Sequence, residues 1–272
     1  MINTLIDNIL VVKLGGAEGL DLDASCDDLA AQAADRPMVV VHGVSALANR
    51  LCEESGHPMQ TLTSPSGHTS RYTDPVTRDI FVTAAEIANQ MVVERLRERG
   101  INAIGLVGDE TVIHGERKSA IRAVVAGRVR VVRDDYSGSI TGVDADRLQQ
   151  LIQAGYVPVL PPMAASDEGL LNIDGDRASA AVAGALHAHE LVILSNVRGL
   201  YREFPNEDSF VQQVPGHQLQ SALDWAQGRM KRKVLGAQEA LDGGVERVII
   251  SDGRVHHPVQ NALAGQGTVF IR

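Results

Sequence analysis

Two stretches of the chain combine glycine with a positive charge or a helix start, which suits the binding of phosphate. In "VVKLGG", Lys13 stands near the end of an apolar run, and Gly15 and Gly16 follow it. Glycine lets the backbone approach an anion closely and turn N–H groups towards it, and the lysine adds a compact positive charge. Alone, this pattern also fits an ordinary turn with a solvated lysine, and the chain contains no G-x-x-x-x-G-K-S/T phosphate loop.

The second stretch is "VVVHGVSALANR", in which an apolar run ends at His42 and Gly43, and a helix is expected from Ser45. The dipole and free N–H groups of a helix start favour phosphate, although Ser45 could equally serve as an ordinary N-cap. Val44 stands where a second glycine would be expected. A positive φ would strain valine by ~1–2 kcal/mol, whereas at a negative φ valine fits and its amide still donates.

Polar residues also cluster at two further helix starts. In "LLNIDGDRASA", Asn172, Asp174 and Asp176 introduce a helix rich in small residues, where a carboxylate is also a common cap. In "GRMKRKV", a run of three basic residues that ends in Lys233 follows Gly228. Such charge runs are typically solvated, so this second cluster has a simple alternative explanation.

Two polar loops complete the set of candidate residues. Arg71 in "GHTSRYTD" could hold a carboxylate through two parallel hydrogen bonds, or pair with Asp74 on the surface. Ser195 and Asn196 end an apolar run in "LSNVRGLY". Phosphoryl transfer needs in-line positioning and positive charge around the transferred group rather than covalent help. Together, these residue types predict that chemistry, with an arginine and an asparagine holding the acceptor.

The candidate residues stand at the ends of alternating strand and helix patterns. Strands are expected at Ile9–Leu14, Met38–His42, Ala103–Val107, Val129–Val132, Val157–Leu160, Leu191–Ser195 and Val248–Ser251. Helices are expected at Ala24–Ala34, Ser45–Glu54, Pro75–Arg99, Ala145–Ala154, Asp176–Ala185 and Met230–Leu241. This alternation predicts a three-layer αβα sandwich around a mainly parallel sheet, whose strand ends bind ligands. Turn signals around residues 112–143 predict hairpins, and two lobes are expected, residues 1–165 and 166–272.

The composition is that of a globular chain and argues against several classes of function. The 272 residues carry a net charge of −9 and only 3% are aromatic, which argues against nucleic-acid binding. The chain has no apolar run long enough to cross a membrane and no recognisable signal peptide. Its two cysteines, Cys26 and Cys52, lack metal-binding spacing, so reduced thiols and a cytoplasmic location are expected.

The order and combination of these motifs resemble the amino acid kinase family, and within it the N-acetylglutamate kinase group. The resemblance runs nearly from end to end, through "VVKLGG", "VVVHG", "RYTD", "NAIGLVG", "GYVPVLPP", "NIDGD", "LSNVRGLY", "GRMKRKV" and "RVIISDGRVHHP". It implies an N-terminal lobe that binds the acyl acceptor and forms a homodimer. It also implies a C-terminal lobe that binds ATP together with Mg2+.

The resemblance implies a role for each candidate residue. Lys13 and Lys233 would stabilise the transferring phosphoryl group, and Asp176 would orient both lysines. The other implied roles are donation of backbone N–H groups to phosphate (Gly15, Gly16, Gly43), binding of the acceptor (Arg71, Asn172, and the Gly43–Val44 loop) and contact with the nucleotide (Ser195, Asn196, Gly199).

Three loops, "GGAEG", "SPSGHTSRYTD" and "GRMKRKV", look like those of one subgroup, the aminoadipate kinases of the carrier-protein route to lysine. In that subgroup, the amino group of the substrate is attached to a small acidic carrier protein, and ATP phosphorylates the distal carboxylate. A local reversal of charge agrees with such a partner. Residues 114–133 contain one acidic residue and six basic ones, Arg117, Lys118, Arg122, Arg128, Arg130 and Arg133. A solvated hairpin would explain the same residues.

Two departures from the family pattern keep alternatives open. Val44 replaces a usual glycine, and Asn196 replaces an aspartate common in the wider family, which removes a charge near the nucleotide. The leading hypothesis is a kinase that acts on carrier-linked aminoadipate, with carrier-linked glutamate as a further substrate. The alternatives are N-acetylglutamate kinase of arginine synthesis and an inactive nucleotide-binding regulatory homologue. Because Lys13, Asp176 and Lys233 are all present, the sequence favours an active enzyme.

Overall fold

The computed structural model describes residues 6–65, 67, 69–125 and 127–272. In this part of the chain the strands are β1 (Leu10–Leu14), β2 (Met38–His42), β3 (Gln60–Thr63), β4 (Thr69–Tyr72), β5 (Ala103–Gly105), β6 (Ile113–Arg117), β7 (Ile121–Val125), β8 (Arg128–Val132), β9 (Gly138–Val143), β10 (Val157–Leu160), β11 (Met163–Ser166), β12 (Gly169–Asn172), β13 (Glu190–Ser195), β14 (Gln213–Pro215), β15 (Arg247–Asp252) and β16 (Thr268–Ile271). The helices are α1 (Leu22–Ala33), α2 (Ser45–Glu54), α3 (Pro75–Glu98), α4 (Ala145–Gln153), α5 (Gly175–Ala185), α6 (Leu219–Trp225), α7 (Arg229–Asp242) and α8 (Pro258–Leu263).

Eight strands form the central sheet in the order β14-β16-β15-β13-β1-β2-β10-β5. Neighbouring strands are parallel except β15 and β16, which run antiparallel. Strands β1, β2, β10 and β13 are buried along their full length, as strands covered by helices on both faces should be. The predicted αβα sandwich around a mainly parallel sheet is therefore confirmed.

The alternation of side chains along β1 decides which helices they meet, because successive residues of a strand point to opposite faces. Leu10, Val12 and Leu14 pack in a core with residues of α1, α3 and α8. Val11 packs on the opposite face, in a core that contains residues of α5 and α7. Lys13 has the same phase as Val11, so the strand directs it towards α5 and α7.

Shorter β-structure forms outside the central sheet. Strands β12, β11, β6 and β9 make a second sheet, and β3–β4 and β7–β8 each form a two-stranded hairpin. The hairpins expected between residues 112 and 143 are thus present. Val129–Val132 forms a strand as predicted, but it belongs to the β7–β8 hairpin and not to the central sheet. The strand β8 contains Arg128 and Arg130, which make it unsuitable for burial on both faces.

The expected division into two lobes remains a prediction, and its boundary at residue 165 falls within β11. In the central sheet, β14, β16, β15 and β13 come from residues 190–271, and the other four strands come from residues 10–160. The two sets meet where β13 pairs with β1. None of the helices in the described ranges has both the length and the apolar character needed to span a bilayer.

Candidate functional site

Three charged side chains meet near the carboxyl end of β1, on the face that carries α5 and α7. Nζ of Lys13 lies 2.8 Å from Oδ1 of Asp176, and Nζ of Lys233 lies 2.9 Å from Oδ2 of the same carboxylate. The three side chains are only 8–11% exposed. Each carboxylate oxygen therefore binds one ammonium group, and the fold brings together three residues that are far apart in sequence.

Local backbone chemistry fixes this arrangement. Asp174 caps α5, and its Oδ1 accepts a hydrogen bond from the backbone N–H of Asp176 at 3.0 Å. Asp176 thus lies in the first turn of α5, where the helix dipole favours a carboxylate. In α7, a Cβ at Gly236 would lie 3.0 Å from the carbonyl oxygen of Asp176, so glycine permits the close helix contact that presents Lys233. Gly228 is the N-cap of α7 and has a φ of 52°, a conformation that favours glycine.

The electrostatics of the three groups follow from their burial and mutual distances. Burial alone would raise the pKa of Asp176, but the charge of Lys13 and then that of Lys233 hold this pKa well below its usual range. Burial lowers the pKa of Lys233, and the charge of Lys13 acts in the same direction against the attraction of Asp176. At neutral pH the carboxylate is ionised. Two ammonium groups facing one carboxylate leave an excess of positive charge that suits a phosphate.

The loops after β1 and β2 touch one another through glycine. A Cβ on Gly16 would lie 2.5 Å from the carbonyl carbon of Gly43, and a Cβ on Gly43 would lie 2.4 Å from N of Gly16. A Cβ on Gly15 would lie 3.0 Å from the carbonyl oxygen of Leu194 in β13. One expectation needs correction, because the N–H of Gly43 donates to the carbonyl oxygen of Leu14 at 2.8 Å and is not free to bind phosphate.

Val44 fits its position without strain, since its φ is −133°. Its side chain is 2% exposed and packs against α3 in a small apolar cluster. The N-cap of α2 is Val44, whereas the sequence had also offered Ser45 for this position. No side-chain hydrogen bond caps the helix. In the first turn, the N–H of Ala46 donates to the carbonyl oxygen of Gly16. The start of α2 therefore lies directly beside the glycine contact and keeps the character of an anion-binding site.

Arg71 extends from β4 over the ring of Phe81, with its guanidinium carbon 5.4 Å from the ring centroid. Its Nη1 is buried and has no hydrogen-bond partner among the described residues. Burial lowers the pKa of Arg71, and the positive charge of Arg229 contributes to the same shift. Asp74 is not its partner, because that carboxylate caps α3 and binds His57. A half-buried guanidinium with a buried, unfilled donor suits the carboxylate of a ligand.

Asn172 ends β12 close to the segment that carries Arg71. Its Nδ2 donates to Oγ1 of Thr73 at 2.9 Å, and Thr73 is fully buried directly after β4. Sequence reasoning missed Thr73, because a threonine beside a capping Asp74 reads as part of the helix start. The candidate acceptor residues are thus neighbours in the fold.

The basic run at the start of α7 is only partly solvated. Lys231 is exposed, as is typical of such runs, whereas Lys233 is buried on Asp176. Between them, Arg232 binds Oδ2 of Asp174 at 3.3 Å and the carbonyl oxygen of Thr69 at 2.9 Å. This side chain joins β4, and with it the acceptor residues, to the helix that carries Asp176. Nothing in the sequence indicated that connection.

The strand ends expected to lie along the nucleotide are next to β1. Ser195 ends β13 and is buried, and its carbonyl oxygen accepts from the N–H of Gly253 at 2.7 Å, while Asn196 is exposed. Gly199 packs on β16, where a Cβ would lie 2.5 Å from Oγ1 of Thr268. This contact explains the glycine by packing alone.

An ion pair at the end of β15 was not foreseen from the sequence. The guanidinium of Arg254 binds Asp252 through two hydrogen bonds, at 2.8 and 2.7 Å. Asp252 lies opposite Ser195 in the strand register, so this pair borders the nucleotide strand ends. The hydrogen bond from Arg254 lowers the pKa of Asp252. A sequence signal exists in "SDGR", but it reads as an ordinary turn.

The six basic residues of the 114–133 segment do not form one continuous patch. Arg117 stacks on Tyr136 at 4.1 Å from the ring centroid and pairs with Glu168, so the fold already uses it. Arg122 lies on the outer face of the β7–β8 hairpin with three exposed valines, Val124, Val129 and Val131. Arg128 and Arg130 lie on the opposite face, which also carries the buried Ala123. Lys118 and Arg133 are exposed at the base of the hairpin.

The described residues contain no group of three or more His, Cys, Asp or Glu side chains arranged to hold a metal ion. At the centre of the site, both oxygens of Asp176 already bind lysine. A cation at this place would therefore need oxygen ligands from a bound phosphate.

A parallel αβα sheet with two lysines on one aspartate at its strand ends defines a protein built for phosphoryl transfer. A model of the amino acid kinase family matches residues 8–252, and the chain belongs to this family. The chain is 47% identical to LysW-aminoadipate kinase from Deinococcus radiodurans, over 97% of this chain and 92% of the relative. It is 45% identical to the LysW-aminoadipate kinase from Thermus thermophilus, over 96% of this chain and 99% of the relative.

More distant relatives and solved structures match nearly the whole of this chain. A protein from Nitrosopumilus maritimus, named for kinase activity on LysW-linked aminoadipate and LysW-linked glutamate, is 35% identical over 97% of this chain and 99% of its own. Among solved structures, N-acetylglutamate synthase from Neisseria gonorrhoeae superposes with a TM-score of 0.79 at 23% identity, over 98% of this chain and 60% of that one. Carbamate kinase from Giardia lamblia superposes with a TM-score of 0.67 at 16% identity, over 97% of this chain and 98% of that one. These structures support the fold.

Proposed function

We propose that this protein transfers the γ-phosphoryl group of ATP to the side-chain carboxylate of α-aminoadipate whose amino group is attached to a small acidic carrier protein. The product is an acyl phosphate, a step of lysine biosynthesis. The observation that carries the chemistry is the buried Lys13–Asp176–Lys233 centre. The choice of acceptor rests on the names of the bacterial relatives. The name of the archaeal relative favours carrier-linked glutamate as a second acceptor.

The proposed reaction needs no general base, because a side-chain carboxylate is already ionised at neutral pH. One carboxylate oxygen forms a bond to the γ-phosphorus, the bond from that phosphorus to the β–γ bridging oxygen breaks, and ADP leaves with the electron pair. Lys13 and Lys233 would offset the negative charge spread over the transferring group. Asp176 holds both ammonium groups in place beforehand, so that little reorganisation is needed in the transition state.

ATP would enter with Mg2+ as a single substrate, with the phosphates supplying most of the ligands of the ion. The loop of Gly15 and Gly16 and the uncapped start of α2, at Val44, would lie against the phosphates. The nucleotide would extend over Ser195, Asn196 and Gly199, next to the ion pair of Asp252. The neighbouring position of β1, β13 and β15 in the sheet supports this path.

The acceptor would bind on the other side of the phosphates. Arg71 offers a buried, unfilled Nη1, and Asn172 offers an amide that is already oriented by Thr73. These groups would hold the α-carboxylate end of the acceptor and leave the distal carboxylate facing Lys13 and Lys233. Gly43 would contribute by its missing side chain, because its N–H is already used.

The carrier would approach from the β7–β8 hairpin. Lys118, Arg122, Arg128 and Arg130 are exposed there on a chain of net charge −9, so an acidic partner would be attracted to this region. Arg117 would support the hairpin rather than contact the carrier, because its guanidinium is stacked on the ring of Tyr136. Raised salt should weaken binding of the carrier-linked substrate more than binding of ATP.

Two further features belong to the same proposal. A homodimer is expected, and α3 exposes Ile87 and Met91 one turn apart on its outer side, where a second copy could cover them. Analytical ultracentrifugation of the purified protein would measure its oligomeric state. Cys26 and Cys52 are both buried free thiols, which supports a reducing, cytoplasmic setting.

The test is an acyl-phosphate assay in which hydroxylamine traps the product in the presence of ATP and Mg2+. Four acceptors are compared: carrier-linked aminoadipate, carrier-linked glutamate, free aminoadipate and N-acetylglutamate. Turnover only with carrier-linked substrates supports the proposal, whereas efficient turnover of N-acetylglutamate alone would move the protein to arginine synthesis. Nucleotide binding without turnover of any acceptor would favour an inactive regulatory homologue.

Within the same assay, Lys233→Met and Lys231→Met form a matched pair of variants. Both remove one positive charge from the first turns of α7, but Lys231 is exposed and Lys233 is buried on Asp176. Lys233→Met should lower kcat by about 100-fold or more, and Lys231→Met should leave it nearly unchanged. Equal effects of the two variants would contradict the assigned role.

A further inference from the structure

Thr73, the buried threonine beside the acceptor residues, is hydrogen-bonded through its N–H, its carbonyl oxygen and its hydroxyl. The N–H of Thr73 donates to Oδ2 of Asp135 at 3.1 Å, and its carbonyl oxygen accepts from the N–H of Tyr136 at 2.7 Å. Its hydroxyl accepts from Nδ2 of Asn172 at 2.9 Å. Thr73 has 0% exposure, so each of these bonds lies away from water, where an unmade bond is costly.

The segment that binds Thr73 also binds Asn172 through the backbone. The N–H of Asn172 donates to the carbonyl oxygen of Tyr136 at 3.0 Å, and Asn172 bridges to Ser137 in parallel orientation. Asp135 is 1% exposed and uses its second oxygen to accept from the N–H of Ser137 at 2.7 Å. Thr73 and Asn172 are therefore held by the same three consecutive residues, Asp135 to Ser137.

The segment is itself fixed from both sides. The ring of Tyr136 lies between the guanidinium groups of Arg78 and Arg117, whose carbons are 4.4 and 4.1 Å from its centroid. Nε of Arg117 also donates to the carbonyl oxygen of Asp135 at 2.9 Å. The segment begins three residues after the end of β8, so these contacts connect the base of the β7–β8 hairpin to the acceptor residues.

We infer that Thr73 is a positioning residue for the phosphoryl acceptor, which orients the side-chain amide of Asn172 and fixes the end of β4 that carries Arg71. This inference rests on the proposed function, in which Arg71 and Asn172 hold the acceptor. A threonine hydroxyl bonded to Nδ2 fixes the plane of the amide. It therefore fixes which atoms of Asn172 can face a ligand. Without that bond, the amide could rotate, and the acceptor would lose a preorganised partner.

The experiment compares Thr73→Val, which keeps the shape but removes the hydroxyl, with Thr73→Ser, which keeps the hydroxyl. Thr63→Val is the matched control, because Thr63 lies on the adjacent strand β3 and its hydroxyl is 3.3 Å from that of the exposed Thr69. Thr73→Val should raise KM for the acceptor about five- to tenfold, with KM for ATP within about twofold of the wild type. Thr73→Ser should recover most of the loss, and Thr63→Val should behave as the wild type.

Several outcomes would overturn the inference. Thr73→Val could lower the melting temperature without moving the acceptor KM, which would make Thr73 a purely structural residue. If Thr73→Ser does not recover the acceptor KM, the hydroxyl of residue 73 is not the group that orients Asn172. If Thr73→Val does not fold, Asp135→Asn serves as the second variant. The carboxylate of Asp135 accepts from the N–H groups of Thr73 and Ser137, and an amide can accept only one of these bonds, so this variant should also raise the acceptor KM. A wild-type protein that forms no acyl phosphate would instead overturn the proposed function.

Discussion

Replacing Asp176 with asparagine removes the negative charge that lies between two buried ammonium groups. In the folded protein, its oxygens lie 2.8 Å from Nζ of Lys13 and 2.9 Å from Nζ of Lys233. Asparagine has nearly the same shape, so the substitution changes charge far more than packing. The two lysines would then repel each other at a place that water hardly reaches.

The size of the effect can be worked out from these distances. With an effective dielectric constant of about 20, Coulomb's law gives an attraction of about 6 kcal/mol for each pair. Desolvation of the charges offsets part of this, and removal of one partner from a buried ion pair costs about 3–5 kcal/mol. We therefore expect the free energy of unfolding to fall by about 3–5 kcal/mol. kcat should fall about 100- to 1000-fold, as when a preorganised group that stabilises the transition state is lost.

Urea unfolding measures the loss of stability, and the hydroxylamine assay for acyl phosphate measures the fall in kcat. Glu239→Gln is the control, because Glu239 joins the same two helices through Arg177 but is 40% exposed, and exposed pairs contribute less than about 1 kcal/mol. The pKa of Asp176 is lowered on folding, so the stability that its charge provides is present above the usual value of 3.8 and is lost as pH falls below it. The stability difference between the wild type and Asp176→Asn should shrink in that acidic range. A variant with kcat within about tenfold of the wild type would refute the reasoning.

Three further predictions concern buried residues around the site and the sheet. Burial, partly offset by the Gly43 carbonyl, lowers the pKa of His42 from 6.5 to about 4. Stability is therefore lost as pH falls from 6.5 to 4, by about 3 kcal/mol, and His42→Gln should flatten this part of a urea-unfolding profile. Glu190, at the opposite end of the sheet, is buried 2.6 Å from Arg36. Glu190→Gln should lower the free energy of unfolding by about 3–5 kcal/mol without changing turnover per folded molecule. Val44→Gly should cost about 2–4 kcal/mol of stability without raising turnover.

Each of these predictions has a result that would contradict it. An unchanged pH profile in His42→Gln would show that this histidine is not the group that titrates. A fall in turnover per folded molecule in Glu190→Gln would couple the far end of the sheet to the site. Turnover that rises in Val44→Gly would revive the inactive regulatory homologue, in which valine blocks the phosphate loop.

Much of the central sheet could be predicted from the sequence, because strands buried on both faces are recognisable as apolar runs. The runs that became β1, β2, β10 and β13 have this character. The short strands of the second sheet and of the β3–β4 hairpin carry mixed residues, and their pairing depends on partners distant in the chain. The helix N-cap at Val44 was also missed, because its backbone and not its side chain makes the cap.

The sequence by itself determined the inventory of chemical groups and the resemblance that ordered them, since residue types and short spacings are local properties. Lys13, Asp176 and Lys233 could be selected in this way. The resemblance implied that Asp176 orients both lysines. Only the tertiary structure decided that each carboxylate oxygen binds one ammonium group in a buried place, because separations in sequence say nothing about distance in space. It also decided that the N–H of Gly43 is used within the sheet and that Val44 has a negative φ. Hydrogen bonding and backbone conformation at such loops depend on what packs against them, and that contact is made between segments far apart in the chain.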